Sequence, residues 1–199
     1  MATYTVKFSV AGFKKLDGKL AQIEEILSSK ELYEYIAERC MKALNEITLQ
    51  KLSSYGKENI DTSYYASRHQ YKIEGSTIYI FNDSKIDISS KNMSETTKAK
   101  YPAQLSLAKI VEYGIGYTGA NFTVVPEGSP LRNDEWEYDV NNHGYRGWYY
   151  TDENGNIIWT NGFAGRLIFN ELAIRVKKNA RRWITEYVRS KIKWWLWGV

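Results

Sequence analysis

Asp134-Glu-Trp-Glu-Tyr-Asp139 sets four carboxylates beside two aromatics in one short run. Glycosidases work with paired carboxylates, and sugars stack on Trp and Tyr faces, so this run is the most enzyme-like or lectin-like feature of the chain. The simpler reading, and the favoured one, is an acidic exposed strand edge whose charge discourages pairing with another strand.

Other chemistry fits less well. His69 falls in an expected strand and His143 in an Asn-Asn-His-Gly turn. Neither has a nearby cysteine or a helical His partner, so no zinc site is expected and both read as surface residues. No Gly-x-Ser-x-Gly elbow occurs. Gly114-Ile-Gly116-Tyr-Thr-Gly119 fits Gly-x-Gly-x-x-Gly as a bare pattern. It follows an expected helix rather than a strand, and no helix is expected after it, so the dinucleotide context is missing. Cys40, the only cysteine, lies on the apolar stripe of a helix and reads as a small core residue. One cysteine allows no intrachain disulfide and no thiolate cluster, which fits synthesis in a reducing cytoplasm. No catalytic residue, cofactor or metal is expected.

The charge is mild in total, at +4, but uneven. Residues 163–199 hold nine Lys/Arg and two Glu, a net +7; residues 113–162 hold two Arg and seven Asp/Glu, a net −5; residues 1–112 supply +2. Arg175, Lys177, Lys178, Arg181, Arg182, Arg189, Lys191 and Lys193 could face nucleic acid. Ending in Trp194-Trp-Leu-Trp197, the same stretch could lie on a membrane surface. The baseline reading is a core-packing helix with a solvated basic face. Trp194, Trp195 and Trp197 would be costly to leave in water, so a neighbouring subunit or domain is expected to cover them. The acidic segment 113–162 carries ten aromatics, eight glycines and no lysine. Aromatics give large contact area at low entropy cost and glycine permits sharp turns, so a shaped contact surface is expected rather than a linker.

The elements that must position these residues follow from periodicity. Residues 3–10 alternate as a short strand, and Phe13, Leu16, Leu20, Ile23 and Leu27 have helical spacing over about 12–27. Ser28 and Glu31 match a capping box that opens a second helix, with the stripe Leu32, Ile36, Cys40, Ala43/Leu44, Ile47 and Leu52 running to about Ser54. Tyr64–Ile73 and Thr77–Asn82 around Glu74-Gly-Ser76 predict a β-hairpin. Residues 84–101 read as a polar loop, and Pro102 can open a short helix ending at Gly114, with Leu105, Ala108 and Val111, or Leu107 and Ile110, inward. Trp148–Tyr150 and Ile157–Trp159 flank Asn154-Gly155, a hairpin signature, and Trp136 with Tyr138 could form another strand. From about Ala164 to Trp195 the pattern is helical again, roughly 45 Å at 1.5 Å per residue.

The expected fold class is α+β: a small antiparallel sheet packed against a long N-terminal helix and a long C-terminal helix, with an aromatic β-hairpin extension. One domain over 1–199 is expected, with 117–162 as an inserted arm. The N-terminus lacks a basic-then-apolar leader, and no apolar run approaches the ~20 residues that cross a bilayer, so a soluble, intracellularly made protein is expected.

Several short motifs carry a family resemblance spanning about 13–192. Asn59-Ile-Asp61-Thr-Ser-Tyr64 stands before the hairpin, Ile110-Val-Glu-Tyr-Gly114-Ile-Gly116 follows the short helix, and Gly144-Tyr-Arg-Gly-Trp148-Tyr-Tyr precedes Trp159-Thr-Asn-Gly-Phe-Ala164-Gly-Arg166-Leu-Ile-Phe169-Asn170. In order and spacing the chain resembles the tail-completion (head–tail joining, or neck) proteins of tailed bacteriophages, gene-product-ten type. The resemblance implies a structural virion protein rather than an enzyme, assembled in the bacterial host cytoplasm and located in the neck. It implies a homo-oligomeric ring, typically a hexamer, between a head-connector adaptor and a tail terminator or tail tube protein. Phage DNA would pass through without sequence recognition, and no membrane would be involved. The residues expected at subunit or partner contacts are Tyr113, Gly114, Gly116, Tyr117, Trp136, Tyr138, Trp148, Tyr149, Trp159, Arg175, Arg181, Arg182, Trp194, Trp195 and Trp197. In a head-to-tail ring the −5 segment would meet the +7 helix of a neighbour. A carbohydrate-binding module or glycosidase using the Trp136/Trp148/Trp159 region, and nucleic-acid or membrane binding through the terminal helix, are the competing readings.

Overall fold

A computed structural model describes residues 2–7, 19–53, 62–87, 104–124, 138, 147–151 and 156–197. In chain order the elements are β1 (Ala2–Lys7), α1 (Lys19–Ser28), α2 (Lys30–Ser53), α3 (Thr62–Ser67), β2 (His69–Glu74), β3 (Thr77–Asn82), β4 (Lys85–Asp87) and β5 (Gln104–Ser106). They continue with α4 (Leu107–Tyr113), β6 (Gly114–Ile115), α5 (Gly116–Phe122), β7 (Trp148–Thr151), β8 (Ile157–Thr160), β9 (Phe163–Ala164) and α6 (Ile168–Trp197). The fold is α+β: small antiparallel sheets with the long helices α2 and α6 packed together.

α2 forms because its apolar residues recur at helical spacing and its start is capped. It buries Leu32, Ile36, Cys40, Leu44 and Ile47, the stripe legible in the sequence, and adds Tyr33 and Thr48. Each fully buried Leu or Ile contributes roughly 1.5–3 kcal/mol. The cap is Ser29, not Ser28: the Leu32 N–H donates to Ser29 Oγ at 3.2 Å, whereas Ser28 closes α1 and its hydroxyl donates to the Glu24 carbonyl at 2.8 Å. α1 begins within the expected helix at Lys19, and residues 12–18 lie outside the described ones.

The three-stranded sheet has the order β1-β3-β2, antiparallel throughout, with Tyr4 and Tyr71 both opposite Ile80. β3 alternates, turning Ile78, Ile80 and Asn82 into the core. The expected strand beginning at Tyr64 is shorter than foreseen. β2 starts only at His69, opposite Asn82, because β3 offers no partner beyond that residue. Thr62–Ser67 is instead the helix α3, which delivers Tyr65 fully buried to the core. Its carbonyl accepts from Asn82 Nδ2 at 2.8 Å, while Asn82 Oδ1 accepts the Ser84 N–H at 2.8 Å, so the buried amide is satisfied on both sides.

His69 also departs from expectation, being buried rather than at the surface. Its Nδ1 lies 2.9 Å from Asn45 Oδ1 and its Nε2 3.5 Å from Thr48 Oγ1, and the ring meets Tyr65 and Phe169 edge-on. Burial lowers its pKa to about 4, which keeps it neutral. The expected polar loop 84–101 contains a strand at its start: β4 pairs with β5, with Ile86 opposite Leu105.

α6 runs antiparallel to α2. The pairs Arg39–Glu186 at 3.5 Å and Arg175–Glu46 at 2.9 Å fix that direction. α6 turns Phe169, Leu172, Val176, Trp183 and Tyr187 into the core shared with α2, Ile78 and Ile80. It starts four residues later than expected because Phe163–Ala164 pairs as β9.

Candidate functional site

The stretch from α4 to α5 is a junction built on glycines. Ser106 caps α4, accepting the Lys109 N–H at 3.3 Å, and α4 buries Leu107, Ala108, Ile110, Val111 and Glu112. The helix ends at Gly114 with φ 84°, a conformation open to glycine, and the Gly114 N–H donates to the Ile110 carbonyl. A Cβ at Gly114 would stand 2.5 Å from the Gly165 nitrogen, so the backbone of β6 and the chain entering α6 touch directly.

Gly-x-Gly-x-x-Gly therefore serves chain packing. A two-residue strand precedes Gly116 and a seven-residue helix begins at it, where no helix was expected. Two of the N–H groups that a phosphate would need are engaged within the chain. Gly116 donates to the Tyr138 carbonyl at 2.8 Å, and Thr118 to the Asn161 carbonyl at 3.1 Å. Thr118 Oγ1 adds a bond to Asn161 Oδ1 at 2.9 Å.

Glu112 joins this junction to α6. The side chain is 1% exposed, and its two oxygens accept the Phe169 and Asn170 N–H groups at 2.8 and 3.0 Å. The Glu112 and Val111 carbonyls accept Leu167 and Arg166. A carboxylate from a separate helix thus caps the first turn of α6, where the unpaired N–H groups and the helix dipole favour negative charge. Burial raises its pKa to about 7 against the opposing pull of those donors and of Lys51. A carboxyl poised near neutrality suits a general acid. With both oxygens held by backbone donors, this one is a cap. The sequence held a signal for it: a lone acid beside Ile110 and Val111 on a helix whose other residues are nearly all apolar.

The hairpin β7–β8 stands on the same junction. Its register pairs Trp148 with Thr160 and Tyr149 with Trp159. Alternation sends Trp148 inward, half-buried against Ile110 and Ile115 beside Phe163. It sends Tyr149 and Trp159 outward, 68% and 52% exposed, with ring centroids 4.8 Å apart. Ile157, two residues from Trp159, is exposed on that outward face. On α5, Tyr117 and Phe122 form a second exposed aromatic pair at 6.2 Å.

The junction brings together Tyr113, Gly114, Gly116, Tyr117, Tyr138, Trp148, Tyr149 and Trp159. Tyr138 lies in a turn rather than a strand. Arg175, Arg181 and Arg182 are elsewhere, on α6: Arg175 is tied to Glu46, and Arg181 and Arg182 are exposed. Trp194, Trp195 and Trp197 belong to α6 by backbone, but their side chains lie outside the described residues. So do Trp136, the Asn154-Gly155 turn, His143 and the carboxylates of the 134–139 run. Among the described residues no group of three His, Cys, Asp or Glu could hold a metal, and no helix is long and apolar enough to cross a membrane. Cys40 is buried, which pushes its thiol up to about 12 and leaves it inert. No family model, curated protein or solved structure matches this chain.

Proposed function

We propose that the chain is a structural protein of the tailed-bacteriophage virion. It forms a homo-oligomeric ring, a hexamer, in the neck between a head-connector adaptor and a tail terminator or tail tube protein, and DNA passes through the ring. The observation that carries this reading is the outward Tyr149–Trp159 pair with Ile157 on a two-stranded hairpin. An isolated hairpin is marginal in water. This one is fixed to the junction through Trp148 against Ile110 and Ile115, so an aromatic face is held outward where a partner can cover it. The motif order around Gly114 and Phe163 supports the family resemblance.

Electron microscopy and sedimentation of the purified protein test the proposal. A ring with a central opening, lost in Tyr149→Ala/Trp159→Ala, is the expected result. A persistent monomer at low salt and high concentration would sink it. The same exposed pair is also a sugar-stacking platform. Glycan binding by a monomer, lost on Trp159→Ala, would replace the neck reading with a carbohydrate-binding one.

A further inference from the structure

The outer surface of the α2–α6 layer is strongly cationic along one line. α6 turns Leu172, Val176, Trp183 and Tyr187 into the core. At 3.6 residues per turn its opposite side carries Lys178, Arg181, Arg182 and Arg189, and all four are exposed. From Lys178 to Arg189 this ridge is about 17 Å long at 1.5 Å per residue. α2 likewise turns Cys40 and Leu44 inward and Lys42 outward. The Arg39–Glu186 and Glu46–Arg175 pairs set the register of the two helices and place Lys42 level with the Lys178–Arg182 turn.

Those same pairs engage Glu46 and Glu186, two of the carboxylates beside the ridge. Among the described residues Lys42, Lys178, Arg181 and Arg189 meet no carboxylate, and Arg182 reaches only Glu186 at 3.7 Å, which it shares with Arg39. Glu31 and Glu38 are exposed on the N-terminal half of α2, so the cationic line follows α6 rather than α2.

Three classes of partner take such a surface, and two fit poorly. A membrane-surface helix presents its apolar face to the lipid, but the apolar face of α6 is in the protein core. A protein interface has an apolar, lysine-poor centre, and no large exposed hydrophobic residue lies on α6 among the described residues. A phosphate backbone needs only closely spaced cations in water. The ridge offers charge and no Asn or Gln side chain to read adenine edges, so phosphate contact is what it supplies most directly.

We propose that the Lys178–Arg189 ridge, with Lys42, holds the phosphate backbone of duplex DNA without reading its sequence. This goes beyond the neck reading, because the ridge would bind DNA in a monomer as well as in a ring.

The test is fluorescence anisotropy of the full-length protein with two labelled duplexes of unrelated sequence across a salt series, with sedimentation of the same samples. About four phosphate contacts give a slope near −3.6 in log K against log salt, a loss on the order of 10²-fold between about 50 and 200 mM. Both duplexes should bind alike. Lys178→Glu/Arg182→Glu should weaken binding at least ~10-fold and flatten the slope by about 2. Lys178→Gln/Arg182→Gln, which adds no repulsion, should do the same in smaller measure with the circular dichroism unchanged. Equal DNA binding by both variants would overturn the proposal, as would strong preference between the duplexes. So would binding of phosphatidylserine vesicles but not DNA, or a change in oligomer size with DNA affinity untouched. A wild-type protein that binds DNA but sediments as a monomer would overturn the ring reading while leaving this one standing.

Discussion

The junction around Glu112 and the hairpin that stands on it are neighbours with opposite character. At the junction every donor named has an acceptor: Phe169 and Asn170 on Glu112, Gly116 on Tyr138, Thr118 on Asn161. On the hairpin Trp148 packs inward, while Tyr149 and Trp159 face outward and, among the described residues, meet each other as a ring pair. A buried polar group left unpaired costs about 1–3 kcal/mol, which compels internal completion. An exposed aromatic costs the monomer far less, so its incompleteness can persist until a partner arrives. Self-sufficiency at the base and dependence at the tip locate stability and recognition in different residues.

Glu112→Ala should break that contrast most severely. It leaves the first-turn donors of α6 buried without an acceptor and should cost about 3 kcal/mol or more in denaturant unfolding. A loss under about 1 kcal/mol would mean that water or a shifted backbone replaces the carboxylate.

Next comes pH. Glu112 is raised from 4.5 to about 7, so the folded state holds that proton more tightly, and the associated stability is present below pH 4.5 and lost as pH climbs through 7. His69 is lowered from 6.5 to about 4, so its contribution runs the other way, present above 6.5 and lost as pH falls through 4. The two shifts are similar in size and oppose each other across nearly the same window. Wild-type stability between about pH 4.5 and 6.5 should therefore be nearly flat as far as these groups go. Glu112→Gln should uncover a stability that rises with pH, and His69→Gln one that falls, each by up to about 3 kcal/mol. Parallel profiles for the two variants would show that the groups do not oppose one another.

The smallest effect on stability belongs to the hairpin tip. Tyr149→Ala/Trp159→Ala should change unfolding free energy by no more than about 1 kcal/mol while abolishing assembly. A large stability loss would assign the pair to the fold and erase the contrast.

Periodic elements were legible in the sequence because burial imposes period. The stripe of α2, the long course of α6 and the Trp148–Trp159 hairpin follow from spacing alone. What escaped was set by contacts distant in sequence. Tyr64–Ser67 reads as strand until Asn82 and the core claim Tyr65. His69 looks like a surface residue until Asn45 and Thr48 close on it. Ser28 and Ser29 are equivalent locally, and only where α1 ends decides which one caps α2. Glu112 was visible as part of Val-Glu-Tyr-Gly, but its role lies 57 residues away at Phe169.

That separation bears on how the molecule could diversify. β6 pairs with β9 and Glu112 grips the start of α6, so the chain leaves the core and returns to it at one fastened point. Ring-closure entropy grows only logarithmically with the length enclosed, about 0.6 kcal/mol per doubling. Parts of that stretch that make no contact with the clasp can lengthen, shrink or be exchanged at small thermodynamic penalty, whereas Gly116, Thr118 and Trp148, which bond or pack there, stay with the helices behind it. The clasp makes the excursion a replaceable cassette, open to rapid change against new partners on an unchanged frame.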